Sequence, residues 1–130
     1  MEVKVAEDYN LLLAHPTGVL NMRMAEDIMH FVEVWEVARQ EGFDRFCDLT
    51  RLDAIQLSVS EVRQLALRRR MFNPNNIPVK SAFLADSPLA FGIVAMYEHL
   101  LESTRITVRA FRSLADASGW LRIEPRILQD

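Results

Sequence analysis

The hydrophobic pattern near the N-terminus predicts two strands. Val3 and Val5 alternate with charged residues, which is typical of a half-buried edge strand. Residues 9–14 contain three consecutive leucines, and such an unbroken apolar run indicates a strand covered on both faces. Because only a short acidic turn separates the two runs, residues 1–14 are predicted to form an antiparallel hairpin.

Beyond the hairpin the hydrophobic period lengthens and predicts four helices. The first covers about residues 22–40, with Asn21 as its N-cap and Gly42 as its stop signal. Its polar positions are expected to form a solvent-exposed face (the wet face) opposite the apolar stripe. That wet face consists of Glu26, Asp27, His30, Glu33, Glu36 and Gln40. The other three helices cover about residues 58–71, 87–103 and 113–121, and each begins at a serine cap.

Short apolar segments between these helices predict three further strands. They cover residues 44–49, 79–85 and 106–111. Strands that alternate with helices are joined by right-handed crossovers, so these three are expected to lie parallel in one sheet. The hairpin then adds an antiparallel edge. The fold class is therefore α/β, with a mostly parallel sheet, four helices and a single domain over residues 1–130.

Composition and charge narrow the classes of function. The chain has 130 residues, 50% of them hydrophobic, and a formal net charge of −3, which argues against nucleic-acid binding. The single cysteine, Cys47, excludes an internal disulfide and suits a reducing compartment. The three histidines lack ligand spacing, so no metal or cofactor is predicted. Without a signal-peptide pattern or a transmembrane segment, a cytoplasmic location is expected.

Three segments resemble a known family. They are Asp48-Leu49-Thr50, the helix segment AFGIVAMYE at 90–98, and the closing segment FRSLADASGWL at 111–121. Together they resemble the STAS domain, the fold of bacterial anti-sigma-factor antagonists, and more closely its SpoIIAA-like relatives. The resemblance implies a mixed sheet with four helices. It also implies a regulatory or ligand-binding role without catalysis.

The same resemblance draws attention to two serines. Anti-sigma-factor antagonists carry a phosphorylated serine at a helix start, within a loop that contains glycines and an aspartate. Here residues 56–61 read QLSVSE, so a serine remains but the glycines and the aspartate do not. Ser58 and Ser60 are therefore candidate phosphosites, because a helix N-terminus stabilises a phosphate. The alternative for Ser58 is an ordinary capping box with Glu61, and this interpretation is favoured.

The ends of the parallel strands supply a second set of candidates. Asp48 with Thr50, and Asp86 on the next strand, are expected at one rim of the sheet, where ligands of open α/β folds bind. Together with His15 the two carboxylates form the basis of an enzyme hypothesis. The alternative is that each aspartate accepts backbone amides in a turn, and this interpretation is favoured. Cys47, inside a strand, is expected to be buried and not catalytic.

Three consecutive arginines form the densest basic segment. Arg68, Arg69 and Arg70 stand near the end of a predicted helix. They are candidates for binding an anion or an acidic partner. The alternative, which is favoured, is that they interact with the negative end of the helix dipole.

The helix over residues 87–103 carries large apolar residues nearly all round. One stripe is enough to cover a sheet, so the surplus is expected to contact a second copy, another protein or an apolar small molecule. Met96 and Tyr97 are consecutive and lie about 100° apart, so at least one should face outward. Phe91 is a further candidate contact. The first helix has a similar surplus in Met24, Met29, Val34 and Val37.

Three hypotheses for function follow from these residues. The leading one is a non-catalytic regulatory module that acts through protein–protein contacts, with a homodimer as its expected form. The second is a carrier of a lipid-like or other apolar ligand, and the third is an enzyme that uses the rim carboxylates. A cavity would favour the carrier, whereas a packed core beneath a flat apolar face would favour partner binding.

Overall fold

The computed structural model describes residues 2–74 and 76–129. Three residues lie outside the described ranges: Met1 of the predicted hairpin, Asn75 of the loop before the predicted strand 79–85, and Asp130. The strands in chain order are β1 (Glu2–Ala6), β2 (Leu11–His15), β3 (Gly18–Asn21), β4 (Asp44–Asp48), β5 (Leu52–Gln56), β6 (Val79–Leu84) and β7 (Ile106–Phe111). The helices are α1 (Met22–Ala38), α2 (Val59–Met71), α3 (Pro88–Leu100), α4 (Leu114–Leu121) and α5 (Pro125–Gln129).

The main sheet has the predicted topology. Its strand order is β1-β2-β4-β6-β7, with β1 antiparallel to β2 and every other pair parallel. The three leucines of β2, residues 11–13, are each 1% exposed. Their consecutive side chains point to opposite faces of the sheet, so β2 is covered on both sides, as its unbroken apolar run predicts. The mostly parallel sheet with an N-terminal antiparallel hairpin is confirmed.

Two short strands and a fifth helix extend the predicted order. β3 and β5 pair in parallel as a separate two-stranded sheet beside the main one. α5 follows α4 at the C-terminal end and buries Ile127 and Leu128. The four predicted helices are present, so the correction concerns additional elements only. Gly42 has a φ of +79° in the turn before β4, but α1 already ends at Ala38, so Gly42 shapes this turn and does not end the helix.

Side-chain caps set the beginnings of the four predicted helices. Asn21, Ser58, Ser87 and Ser113 each accept a hydrogen bond from a backbone amide three residues further on. Ser58 and Glu61 form the complete capping box, with distances of 3.1 Å and 2.9 Å. Each cap satisfies an amide that has no partner inside its helix. All four predicted caps are confirmed.

The helices cover both faces of the main sheet. α4 and α5 pack against the face that carries Leu11, Leu13 and Phe46. α1, α2 and α3 lie over the opposite face, which carries Leu12 and Phe83. No helix within residues 2–74 and 76–129 is both long and apolar enough to cross a membrane.

Candidate ligand-binding cavity

The sheet face below α1–α3 forms the floor of a cavity. Strand register places Leu12, Arg45 and Ser81 side by side across β2, β4 and β6. Since alternate residues of a strand share a face, the residues two positions further along belong to the same floor. This second row consists of Ala14, Cys47 and Phe83.

The walls of the cavity come from the three helices above this floor. The space has a volume of about 140 Å³, is partly open and is lined mainly by apolar side chains. Such a lining suits an apolar molecule, because a cavity without polar partners does not hold ordered water well. The wall residues are Ala25, Ile28, Met29 and Val32 of α1, Val62, Leu65 and Arg69 of α2, and Ile93, Val94 and Tyr97 of α3.

Three charged residues, Glu36, Arg45 and Arg69, meet under the helices, and we call them the buried triad. Arg45 Nη2 donates to Glu36 Oε2 at 2.8 Å. Arg69 donates to both carboxylate oxygens of Glu36, each at 2.7 Å. The side chains of Arg45, Glu36 and Arg69 are 8%, 5% and 3% exposed, respectively. The triad therefore joins α1, α2 and β4 through side chains that are each less than 10% exposed.

The electrostatics of the triad follow from its unequal charges. Burial raises the pKa of Glu36, but hydrogen bonds and charges from Arg69 and Arg45 outweigh burial, so the pKa lies below its ordinary 4.5. Burial lowers the pKa of Arg45 below its ordinary value, against the opposing attraction of Glu36. Two guanidinium groups and one carboxylate leave a net charge of +1. Arg45 and Arg69 line the cavity, whereas Glu36 does not.

Tyr97 reaches the same region from α3. Burial raises the pKa of its hydroxyl to about 12, despite the opposing charges of Arg69 and Arg45. The hydroxyl therefore stays protonated at neutral pH. Its ring packs edge-on against Phe83, with centroids 6.1 Å apart. Of the predicted contact residues on this helix, Tyr97 is the one that lines the cavity.

Cys47 lies in the cavity floor as a protonated thiol. Burial, with a smaller contribution from Asp48, raises its pKa from 9.0 to about 12. A nucleophilic cysteine requires the thiolate form, which this environment disfavours. The side chain is half-buried, less than the sequence predicted, and its non-catalytic role stays a prediction.

The strand-end residues are held in separate local structures. Asp48 is 7% exposed, and its Oδ1 accepts from the Thr50 amide at 2.8 Å and from the Thr50 hydroxyl at 2.6 Å. Asp86 is exposed just before α3. His15 is buried, with its Nε2 2.7 Å from the Leu128 carbonyl oxygen. None of these four side chains lines the cavity among the described residues.

The serine candidates lie at the exposed start of α2. The Ser58 hydroxyl accepts from Glu61 in the capping box, and Ser60 Oγ accepts from Gln64 at 3.5 Å. Both serines are exposed. Phosphorylation at Ser58 or Ser60 stays a prediction.

The three consecutive arginines do not form one surface patch. Arg68 pairs with Glu33 of α1, with nitrogen–oxygen distances of 2.9 Å and 2.5 Å. Arg69 points inward to the buried triad. Arg70 Nη1 donates to the carbonyls of Leu100 and Glu102, 3.0 Å and 3.2 Å away, near the end of α3. The expectation of a common anion-binding surface is corrected because these side chains point in three directions.

The apolar surplus is distributed differently from the prediction. Met96 and Phe91 are half-buried, and the Arg112 guanidinium lies 4.2 Å from the centre of the Phe91 ring. On α3 the exposed large apolar residue is Leu89. α1 leaves Val34 and Val37 exposed, whereas Met29 is buried and Met24 packs against the core. α2 leaves Val59, Leu67 and Met71 exposed.

Sequence reasoning missed the triad. The polar pattern of α1 predicts a solvent-facing Glu36, but this residue follows the buried Val32 by four positions and so shares its face. Arg69 likewise follows the buried Leu65 by four residues. Arg45 precedes Cys47 by two residues and so shares its side of the strand. Charged residues of opposite sign at inward-facing positions were the available signal.

No protein-family model matches the sequence, and no curated protein matches it. Among solved structures, the chain is similar to the crystal structure of an uncharacterized protein from the DUF3478 family, with a SpoIIAA-like fold, from Shewanella loihica PV-4. The likeness covers 92% of this chain and 90% of that chain, with a TM-score of 0.59 and 18% sequence identity. Together with the sheet topology, it confirms that the fold is SpoIIAA-like.

Proposed function

We propose that this chain is a non-catalytic binding module of the STAS type whose ligand is a small apolar molecule held between the sheet and α1–α3. The cavity of about 140 Å³ carries this proposal. For comparison, an engineered cavity of about 150 Å³ lined by Leu, Ile and Phe is known to bind benzene. The carrier hypothesis therefore takes precedence over the partner-binding hypothesis.

The protonation of Cys47 and the hydrogen bonds of His15 and Asp48 support binding without catalysis. The Cys47 thiol is protonated at neutral pH because burial raises its pKa to about 12. The His15 ring forms a hydrogen bond with the backbone carbonyl of Leu128. The Asp48 carboxylate accepts a hydrogen bond from the Thr50 amide and so stabilises the turn after β4. An acid–base or nucleophilic centre would need such groups to converge on a cleft. A cytoplasmic location is part of the proposal, since a single unpaired thiol suits a reducing compartment.

A matched pair of alanine substitutions tests the proposal. Ala25 lines the cavity, whereas Ala95 is exposed on α3. Ala25→Leu should fill part of the cavity and weaken hexanol binding at least tenfold, while Ala95→Leu should bind hexanol as the wild type does. The measurement is an NMR titration that follows the methyl signals of Ile28 and Ile93. Both variants must keep the wild-type circular dichroism spectrum.

Two results would contradict the proposal. One is that hexanol shifts no cavity methyl signal in the wild type. The other is that folded Ala25→Leu binds hexanol as tightly as Ala95→Leu does. Native mass spectrometry of the wild type, purified without detergent, should also detect a retained small molecule that Ala25→Leu loses.

A second candidate function is binding of a protein partner through α1 and α2. Val34 and Val37 of α1 are 52% and 61% exposed, and Leu67 and Met71 of α2 are 56% and 80% exposed. The Glu33–Arg68 pair holds these two helices together. Exposed apolar side chains on adjacent helices favour association with a second copy of the chain, which is the homodimer expected from the sequence.

A further inference from the structure

We propose that the cavity selects an apolar ligand that ends in a carboxylate, and that Arg45 and Tyr97 bind this end beside the charge of Arg69. The inference rests on the proposed function and specifies the chemistry of its ligand. The apolar body would lie among the alanine, leucine, isoleucine and valine side chains of the walls. The carboxylate would lie at the buried triad.

The polar lining of the cavity favours an acceptor. Among the described lining residues, two are cationic, Arg45 and Arg69, and none is an aspartate, glutamate, asparagine or glutamine. The other lining groups able to donate are the hydroxyls of Ser81 and Tyr97 and the thiol of Cys47. A ligand that brought only donors would leave these groups unsatisfied. A carboxylate has only acceptor atoms, with about four lone-pair sites, and can accept from several of these donors at once.

The charge balance of the triad also favours an anion. Glu36 neutralises one of the two guanidinium groups, and the net charge of +1 is held under the helices. The Glu33–Arg68 pair adds no net charge nearby. An unbalanced charge in a region of low dielectric is costly, so a ligand of charge −1 would gain by balancing it. A neutral ligand would not, and a cation would be repelled.

Arg45 has a group available for this contact. Its Nη2 donates to Glu36 at 2.8 Å and its Nε to the Phe43 carbonyl at 3.2 Å. The second amino group, Nη1, makes no hydrogen bond to another described residue. The hydroxyl of Tyr97 likewise has no hydrogen-bond partner among the described residues. Two donors without protein acceptors, both on cavity-lining residues, suit the two oxygens of a carboxylate.

The size of the cavity limits the apolar body to about six carbons. A space of about 140 Å³ is comparable to the cavity of about 150 Å³ that accepts benzene. Long-chain fatty acids exceed this volume. The expected ligand class is therefore a monocarboxylate with a short aliphatic or single-ring body.

Three six-carbon probes with different end groups test the inference on the intact chain. Hexanoate, hexanol and hexylammonium share an apolar body and differ in charge. Calorimetry, with the same methyl titration, should show that hexanoate binds at least tenfold more tightly than hexanol and that hexylammonium binds more weakly than either. If none of the three binds, the proposed function itself fails. If hexanol binds as tightly as hexanoate, only the carboxylate inference is overturned.

A matched arginine pair locates the carboxylate. Arg45→Lys keeps the positive charge beside Glu36 but loses the planar fork, so hexanoate affinity should fall about tenfold and hexanol affinity should not change. Arg70→Lys makes the same change outside the cavity and should alter neither. If Arg45→Lys does not fold, Tyr97→Phe, which removes one donor, should weaken hexanoate binding more than hexanol binding. Equal effects on both probes in a folded variant would overturn the inference.

Discussion

Glu36 illustrates how one carboxylate holds several elements together. It lies in α1 and accepts hydrogen bonds from Arg45 of β4 and Arg69 of α2. Burying a carboxylate costs free energy of solvation, and the two guanidinium groups offset this cost. The pKa of Glu36 therefore lies below its ordinary 4.5. Loss of this carboxylate would leave two buried cations facing each other.

We therefore expect Glu36→Gln to destabilise the fold in a pH-dependent manner. At pH 7 the cost should be about 3–5 kcal/mol, which is typical of removing one partner from a buried ion pair. Because the folded pKa is lower than the unfolded one, the stabilisation by Glu36 is fully present above pH 4.5 and is lost as the pH falls through the folded pKa. The difference in free energy of unfolding between wild type and variant should therefore shrink in acid. Urea denaturation at pH 7 and at pH 3.5 measures it.

The control is the same substitution in an exposed ion pair. Glu124 lies 2.6 Å from Arg126 on the surface, so Glu124→Gln should change the free energy of unfolding by less than about 1 kcal/mol at either pH. A Glu36→Gln variant as stable as Glu124→Gln would show that the triad contributes nothing to stability. A difference that grows in acid would contradict the assigned direction of the pKa shift.

At the residue scale, capping was predictable and charge pairing was not. Asn21 and the three cap serines act through amides three residues away, so their chemistry can be read from local sequence. The partners of Glu36 lie 9 and 33 residues away. Such a pair depends on which helix and strand become neighbours. The helical pattern placed Glu36 on the solvent-facing side of α1, and it did not show that Arg45 and Arg69 would meet it.

At the scale of elements, the C-terminal helices depend on docking. α4 has eight residues and α5 has five, and helices this short have little stability of their own. Leu121 is buried, whereas Trp120 is only half-buried. Its ring lies 5.4 Å from the Phe111 ring, and Lys80 Nζ lies 5.4 Å from its centre. The closing motif therefore docks through Leu121 at its centre and Trp120 at its border.

The burial of Trp120 and Leu121 determines how much each truncation to alanine should lower the free energy of unfolding. Trp120→Ala should lower the free energy of unfolding by about 2 kcal/mol, below the roughly 3–5 kcal/mol of a fully buried tryptophan. Leu121→Ala, at 5% exposure, should cost about 3 kcal/mol. Thermal and urea denaturation measure both, with Leu89→Ala as the exposed control. An unchanged melting temperature for Trp120→Ala would show that α4 does not depend on this contact.

The elements missed from the sequence share one property. β3 and β5 have four and five residues, and α5 has five. A segment this short is predictable only when it alternates strictly or is continuously apolar, as β1 and β2 are, and the sequences GVLN, LDAIQ and PRILQ are neither. β3 and β5 exist because each pairs with the other across 30 residues of sequence, and α5 because its apolar residues cover the sheet. Their stability is tertiary, so local patterns do not predict them.

At the scale of the whole molecule, the cavity explains where the apolar surplus goes. The sequence predicted more large apolar residues on the helices than one sheet face could accept. Part of this surplus, including Ile93 and Tyr97, lines the cavity between helices and sheet. A cavity depends on how far helices stand from a sheet, which helical periodicity does not specify. The fold class was therefore predictable, whereas the cavity on which the carrier proposal rests was not.

The rest of the surplus leads to a prediction about assembly. Val37 and Met71 are exposed on α1 and α2, and they lie near the Glu33–Arg68 pair, which contributes both signs of charge and no net repulsion between copies. We expect the wild type to dimerise through this surface. Val37→Glu and Met71→Glu should each shift the dimer to monomer, because the new charge would lose its water at the contact. Leu89→Glu changes an exposed position of α3, away from this surface, and this variant should remain dimeric. Sedimentation velocity over a range of concentrations distinguishes these outcomes.

A monomeric wild type would exclude self-association, and dissociation by Leu89→Glu alone would place the contact on α3 instead.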